Sequence, residues 1–300
     1  MTQKVFFFGA GAAEGTRDMK RELGGKGANL AEMTNLGVPV PPGFTIACSE
    51  CISYLHNGDI SADLRAEVER NVARLESVSG KKFGDAKDPL LVSVRSGAAV
   101  SMPGMMETIL NLGLNDRTVV SLARASGSAR FAYDSYRRFI QMYADVVLGV
   151  PSSDFEHLLS AKRMTAAVDT DAELSEDALR NLTEEYKAIV RNRTGKPFPT
   201  EPAEQLWGAI EAVWRSWTLK KARDYRRVNA IPETLGTGVN IVAMVFGNLG
   251  DDSGTGVAFT RDPSTGEHKF YGEFLMNAQG EDVVAGIRTP IEIDQMAARL

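Results

Sequence analysis

Apolar residues along this chain follow two rhythms, either continuous or with period two, or spaced three to four apart. Val5-Phe6-Phe7-Phe8 opens the chain as a β-strand. Thr16 to Leu23 reads as a polar helical turn, broken by Gly24-Gly25-Lys26-Gly27 before helical character resumes at Ala28 to Met33 and stops at Gly37. Pro39, Pro41, Pro42 and Gly43 force an extended passage into the short strand Phe44-Thr45-Ile46. From Ser61, the positions Leu64, Val68, Val72, Leu75 and Val78 describe a helix with one buried stripe. Leu90 to Val94 is almost continuously apolar, as a strand covered on both faces would be, and it delivers Arg95 to its C-terminal end. Ser96 to Met106 is small, Gly- and Met-containing and nearly uncharged, a composition that suits a loop approached closely by a ligand.

From Asn115, read as an N-cap, to about Arg227 the pattern is mostly helical. Phe131, Tyr136, Phe139, Ile140, Tyr143 and Val147 make one helix, closed by Gly149 and Pro151. Leu179, Leu182, Tyr186, Ile189 and Val190 make another. After the proline-rich connection Thr194 to Pro202, a third contains Leu206, Ile210, Val213, Trp214 and Trp217. Beyond Gly236, the runs Val239–Phe246, Gly256–Thr260 and Lys269–Met276 read as an antiparallel meander with a turn at Asp262–Gly266. A helical insert is thus flanked by strand-bearing segments.

The 300 residues carry a net charge of −5, with 43% apolar and 24% charged side chains, a folded chain of about two domains' length. Without a long basic block, neither a nucleic-acid surface nor an anionic-membrane anchor is expected. The longest uncharged stretch, Thr234 to Gly250, is too interrupted by Gly and Asn to span a bilayer. Cys48 and Cys51 cannot build a disulfide framework and fit a reducing, cytoplasmic setting. With His56, His157 and His268 scattered, the pair reads as two small, partly buried side chains rather than half a zinc site.

Two familiar phosphate motifs fail. Lys26 is not followed by Ser or Thr, and position 20 is not Gly, so no P-loop forms; Gly9-Ala10-Gly11 lacks the third glycine of a dinucleotide fingerprint. Lys26 remains either a point charge for a polyphosphate or a solvated lysine. Arg95, after an interior strand, needs either a carboxylate or an anionic ligand. Asn248 to Gly256 is a hairpin, plain or able to offer backbone N–H groups to phosphates. Gln279-Gly280-Glu281-Asp282 suits ribose hydroxyls or a base amine, and equally a surface turn.

Five blocks together resemble the N-terminal, ATP-binding part of the pyruvate phosphate dikinase family: Leu23–Met33, Asp88–Ala98, Ser101–Asn115, Arg130–Tyr143, and Ser253–Glu267 continuing to Asn277–Gly286. Residues 149–200 match least well. The resemblance implies an α+β, ATP-grasp fold: a first subdomain at 1–111, a small helical subdomain inserted at 112–200, and a second subdomain with the Gly-rich loop at 201–300, incomplete at its C-terminus. It implies that Lys26 and Arg95 bind the ATP phosphates as the catalytic cations. Gly254, Thr255 and Gly256 would close over the phosphates, and Gln279, Glu281, Asp282 and Val283 would lie beside the nucleoside. The implied reaction is ATP + phosphate + pyruvate to AMP + pyrophosphate + phosphoenolpyruvate, with Mg2+ and a phosphorylated histidine on a swivelling domain. Phosphohistidine and pyruvate domains of the same full-length chain are the implied partners, and the full-length enzyme is implied to be a homo-oligomer.

None of the three histidines sits in the family's Thr-Ser-His-Ala motif, and the acidic metal ligands and pyruvate barrel of the family have no counterpart. The expectation is therefore a truncated piece of a longer enzyme, without metal ligands of its own and inactive alone. Phosphoenolpyruvate synthase, a glucan water dikinase, or a non-catalytic nucleotide-binding module are the alternatives.

Overall fold

A computed structural model describes residues 3–284 and 288–298, apart from the side chains of Glu281, Val284 and the last residues of the final turn. Contacts gather the chain into two compact units, Met1–Met244 and Val245–Leu300.

The first unit is built on a six-stranded antiparallel sheet. In chain order its strands are β1 (Val5–Gly9), β2 (Ala12–Ala13), β3 (Gly43–Ile46), β6 (Val92–Ala98), β7 (Thr108–Leu112) and β8 (Thr237–Ala243), arranged β2-β1-β3-β8-β6-β7. A separate parallel pair is formed by β4 (Lys82–Phe83) and β5 (Pro89–Leu90). The run read as one strand from Leu90 to Val94 is thus divided: Leu90 pairs with Phe83, whereas β6 starts at Val92 and continues past Arg95 to Ala98. Arg95 lies inside the strand, because the small residues after it pair with β8 instead of forming a loop.

Helix α1 (Lys20–Asn35) packs on β6 and β8, whereas α3 (Ala62–Ser79) and α8 (Pro202–Ser216) bring Val72, Leu75 and Leu206 to Ile241 on the sheet's other face. Between α1 and α3 runs α2 (Cys48–Asn57), against β8. Phe7, Phe8, Phe44 and Ile46 are fully buried, each contributing roughly 2 kcal/mol or more of apolar burial. The start of α3 is as expected, since Ser61 Oγ accepts from Leu64 N at 3.3 Å.

The helical layer holds α4 (Thr118–Ser126), α5 (Ala129–Val146), α6 (Ser152–Ala166), α7 (Glu176–Thr194) and, after α8, α9 (Lys220–Val228). Asn115 Oδ1 accepts from the amides of Arg117 and Thr118 at 2.9 Å, the capping role its position suggested, one turn ahead of α4. Phe139, Tyr143 and Phe198 meet edge to face, as do Phe155 and Tyr186. A buried ion network ties this layer together. Arg137 bridges Asp134 at 2.7 Å and Asp171 at 2.9 Å, and Arg138 reaches Asp134 at 3.0 Å.

The second unit is a three-stranded antiparallel sheet of β9 (Gly254–Phe259), β10 (Tyr271–Met276) and β11 (Ile291–Glu292), with the short helix α10 (Gly280–Val284). The turn at Asp262–Gly266 forms as its composition requires: Asp262 Oδ1 accepts from Ser264 N and Thr265 N, and Gly266 has φ +76°. The expected three-strand meander does not form. Val239 to Ala243 belongs instead to β8, between β3 and β6 in the first unit, because ladder partners are chosen by distant residues that local pattern does not encode.

Candidate functional site

Glycine in a helix is normally unfavourable, yet α1 contains three within four positions. Gly24 adopts φ +70° and ψ +169°, so the helix kinks there. A Cβ at Gly24 would collide with the carbonyl oxygen of Gly97 on β6. One at Gly27 would sit 2.8 Å from Thr45 Cγ2 and 3.0 Å from Asn240 Oδ1. These glycines let the helix backbone lie directly on the sheet. The run is therefore a kinked helix, with the break confined to Gly24. Lys26 projects between the glycines, its Cβ 3.4 Å from where a Cβ of Gly97 would stand.

Directly opposed residues in an antiparallel sheet share a face. Thr45, Asn240, Arg95 and Thr108 are mutually opposite on β3, β8, β6 and β7, forming one polar row across four strands. Thr45 and Asn240 are buried at the α1 side of the row, Thr108 is half-buried and Arg95 is exposed. The row thus carries the Arg95 guanidinium to the face on which α1 presents Lys26. Partial burial of its ammonium, and then the Arg95 guanidinium beside it, push Lys26 below the ordinary lysine range, although the residue as a whole remains open to solvent. Neither side chain has an ion-pair or hydrogen-bond partner among the described residues. Two like charges on one face with no counter-ion among the described residues have the electrostatics that suit an anion.

The remaining predicted residues belong to the second unit. Gly254, Thr255 and Gly256 lie within β9, paired with Met276, Leu275 and Phe274. The glycines there have a packing reason: a Cβ at Gly256 would come within 2.7 Å of Glu273 O, and one at Gly254 within 2.9 Å of Leu275 O. The irregular Gly-rich segment lies upstream, from Gly247 to Ser253. Gln279, Asp282 and Val283 sit where β10 passes into α10, which packs on β9, with the Gly280 Cβ position 3.9 Å from Thr255 Oγ1. Asp282 Oδ2 accepts from Gln279 N at 2.9 Å. Gln279 is 7% exposed, and its Nε2 is buried with no hydrogen-bond partner among the described residues, a donor left open. The side chain of Glu281 lies outside the described residues. No group of three or more His, Cys, Asp or Glu side chains able to hold a metal occurs among the described residues.

Sequence reasoning missed Thr45, Asn240 and Thr108. A signal for the first two exists, since each is a single polar residue interrupting an apolar run, in Phe44-Thr45-Ile46 and Val239-Asn240-Ile241. Cys48 and Cys51 are free thiols and fully buried, more so than the partly buried pair their sequence suggested, because both lie on the face of α2 turned to the core. No helix among the described residues is long and apolar enough to cross a membrane.

The α+β fold of ATP-grasp type brings Lys26 and Arg95, without ion-pair or hydrogen-bond partners among the described residues, to one glycine-lined face of the first unit. Over residues 20–80 and 60–298 the chain matches the pyruvate phosphate dikinase AMP/ATP-binding domain, and it belongs to that family. It is 55% identical to the pyruvate, phosphate dikinase of Rhizobium meliloti (strain 1021) over 298 residues, 99% of this chain and 33% of that protein. Identity to the enzyme of Clostridium symbiosum is 55% over 285 residues, 94% of this chain and 33% of that one. The chloroplastic pyruvate, phosphate dikinase 1 of Arabidopsis thaliana is 53% identical over 295 residues, 98% of this chain and 30% of that protein. The chain spans about a third of the length of the curated relatives it matches.

Proposed function

We propose that this chain is the ATP-binding portion of a dikinase. In this reading it binds ATP and directs the β-phosphoryl group, as a pyrophosphoryl unit, to a histidine on a separate swivelling domain. The overall conversion is ATP, phosphate and pyruvate to AMP, pyrophosphate and phosphoenolpyruvate. The observation that carries the reading is the presence of Lys26 and Arg95 on one face, two cations with no carboxylate partner among the described residues. A triphosphate supplies the missing counter-charge, and fixed cations favour the charge that develops as a phosphoryl group moves.

Gly254, Thr255 and Gly256 are proposed to meet the phosphates. Gln279, with its open Nε2 donor, is proposed to meet the nucleoside together with Glu281, Asp282 and Val283. Mg2+ is proposed to arrive with the nucleotide, and its own chemistry is to neutralise phosphate oxygens. The inserted helical subdomain at 112–200, the flanking subdomains at 1–111 and 201–300, a cytoplasmic location, and a homo-oligomeric longer enzyme with phosphohistidine and pyruvate domains complete the proposal.

Isothermal titration of the 300-residue chain with a non-hydrolysable ATP analogue and magnesium tests it. Lys26→Ala and Arg95→Ala are each expected to weaken binding about tenfold or more, the loss of a hydrogen bond to a charged group. Equal affinity in both variants and the parent would refute the site.

A further inference from the structure

We infer that Asn240, held by Thr45, is a positioning residue that sets the spacing between Lys26 and Arg95; this rests on the polyphosphate reading of that pair. Asparagine is poorly suited to the interior of a central strand, and a buried amide costs free energy unless its hydrogen bonds are met. Asn240 is nonetheless 1% exposed, in the middle of the sheet, between two apolar neighbours on β8. A β-branched residue would satisfy the strand better, so the amide answers to another demand.

Its contacts say which. Thr45 Oγ1 donates to Asn240 Oδ1 at 2.8 Å, which fixes the plane and sense of the amide. Asn240 Nδ2 then points to the carbonyl of Arg95 at 3.5 Å, a long contact that nevertheless ties the amide to the backbone of the residue in question. The same amide fills the room left by two missing side chains. A Cβ at Gly97, two residues beyond Arg95 on the same face, would stand 2.6 Å from Nδ2, and a Cβ at Gly27, the residue after Lys26, 3.0 Å from Oδ1. Asn240 is therefore a flat spacer wedged between the helix that carries the ammonium and the strand that carries the guanidinium. Replacing it changes how far apart the two cations stand, without removing either. Misplacement of about 1 Å at a polyphosphate site is costly.

The variants Asn240→Leu and Thr45→Val remove the amide and the hydroxyl at nearly constant volume, and Thr45→Ser keeps the hydroxyl. Two quantities are read on the 300-residue chain: affinity for magnesium with a non-hydrolysable ATP analogue, and the titration of Lys26. The latter is followed by NMR after isotopic methylation of lysines and assigned by its absence in Lys26→Ala. The expected result is about tenfold weaker binding in Thr45→Val and Asn240→Leu, with cooperative unfolding retained. Thr45→Ser should restore affinity to within about twofold of the parent. In both weakened variants the Lys26 titration should move, which a merely structural loss would not cause.

Where Asn240→Leu does not fold, Thr45→Val decides alone. Parental binding together with an unchanged Lys26 titration in folded Thr45→Val overturns the inference. Should Lys26→Ala and Arg95→Ala leave binding intact, the polyphosphate reading fails, and the positioning claim is then decided by the titration alone: a shift upholds it, no shift overturns it.

Discussion

Two sets of basic side chains in the first unit are treated in opposite ways. In the helical layer Arg137 is 3% exposed and locked between Asp134 and Asp171, and Arg138 adds a second contact to Asp134. Burial alone would raise the Asp134 carboxyl, but Arg137, Arg138 and Arg130 outweigh it and hold the carboxyl below the usual range. On the α1 face of the sheet, Lys26 and Arg95 have no ion-pair or hydrogen-bond partner among the described residues. A network with every charge matched holds structure; a pair left unmatched raises the free energy of the empty protein and lowers it again when an anion arrives. On the proposed reading, the difference separates scaffold from binding site.

The largest expected effect falls on the scaffold. Arg137→Met strands a buried carboxylate and should cost about 3 kcal/mol of unfolding free energy by urea titration, while leaving nucleotide affinity at constant folded fraction near the parental value. Next comes the link between the regions. Gly24→Ala forces a side chain into the Gly97 carbonyl at a positive φ and should cost about 2 kcal/mol, with nucleotide binding lost by more than tenfold because α1 must lift. A Gly24→Ala protein that binds normally would show that close seating of the helix is unnecessary.

The smallest effect has the opposite sign. Lys26→Met removes the repulsion and should stabilise the empty chain by about 0.5 kcal/mol, a value kept low by solvent screening. Because the folded pKa of Lys26 is depressed, the folded state binds fewer protons than the unfolded state between that lowered value and 10.5. Stability attributable to this residue therefore rises with pH across that window, and the rise should vanish in Lys26→Met. Cys48 and Cys51 work against it. Burial pushes their thiols up to about 11 and about 12, so above 9.0 the unfolded thiols ionise first and stability falls. Both should resist an aromatic disulfide reagent until the chain unfolds, and rapid reaction in the native state would contradict their burial.

Much of the architecture was legible in the residues. The α3 stripe, the α5 periodicity and the Asp262–Gly266 turn are encoded within a few positions and formed where expected, except that Val78, the last residue of the α3 stripe, is exposed. Convergence of Lys26 and Arg95 was legible through resemblance, since no local pattern states that α1 lies on β6. Partner choice was illegible for the same reason. Val239 to Ala243 looks like the first strand of a hairpin with Gly256 to Thr260, and only the polar interruption at Asn240 hinted at a row shared with Thr45 and Arg95. Gly24, Gly27, Gly97, Gly254 and Gly256 share one packing reason that no local pattern states: at each, the absent side chain makes room for another piece of protein.

The late position of β8 in the chain has a cost during synthesis. Until Thr237 to Ala243 leaves the ribosome, β1–β3 and β6–β7 are two unconnected ladders, and the facing edges of β3 and β6 stand bare. Nearly the whole first unit must be translated before its last rung can be inserted, and such edges recruit stray strands in the meantime. Nascent chains arrested just short of Thr237 should accordingly be captured by chaperones, and release of seven more residues should be enough to free them.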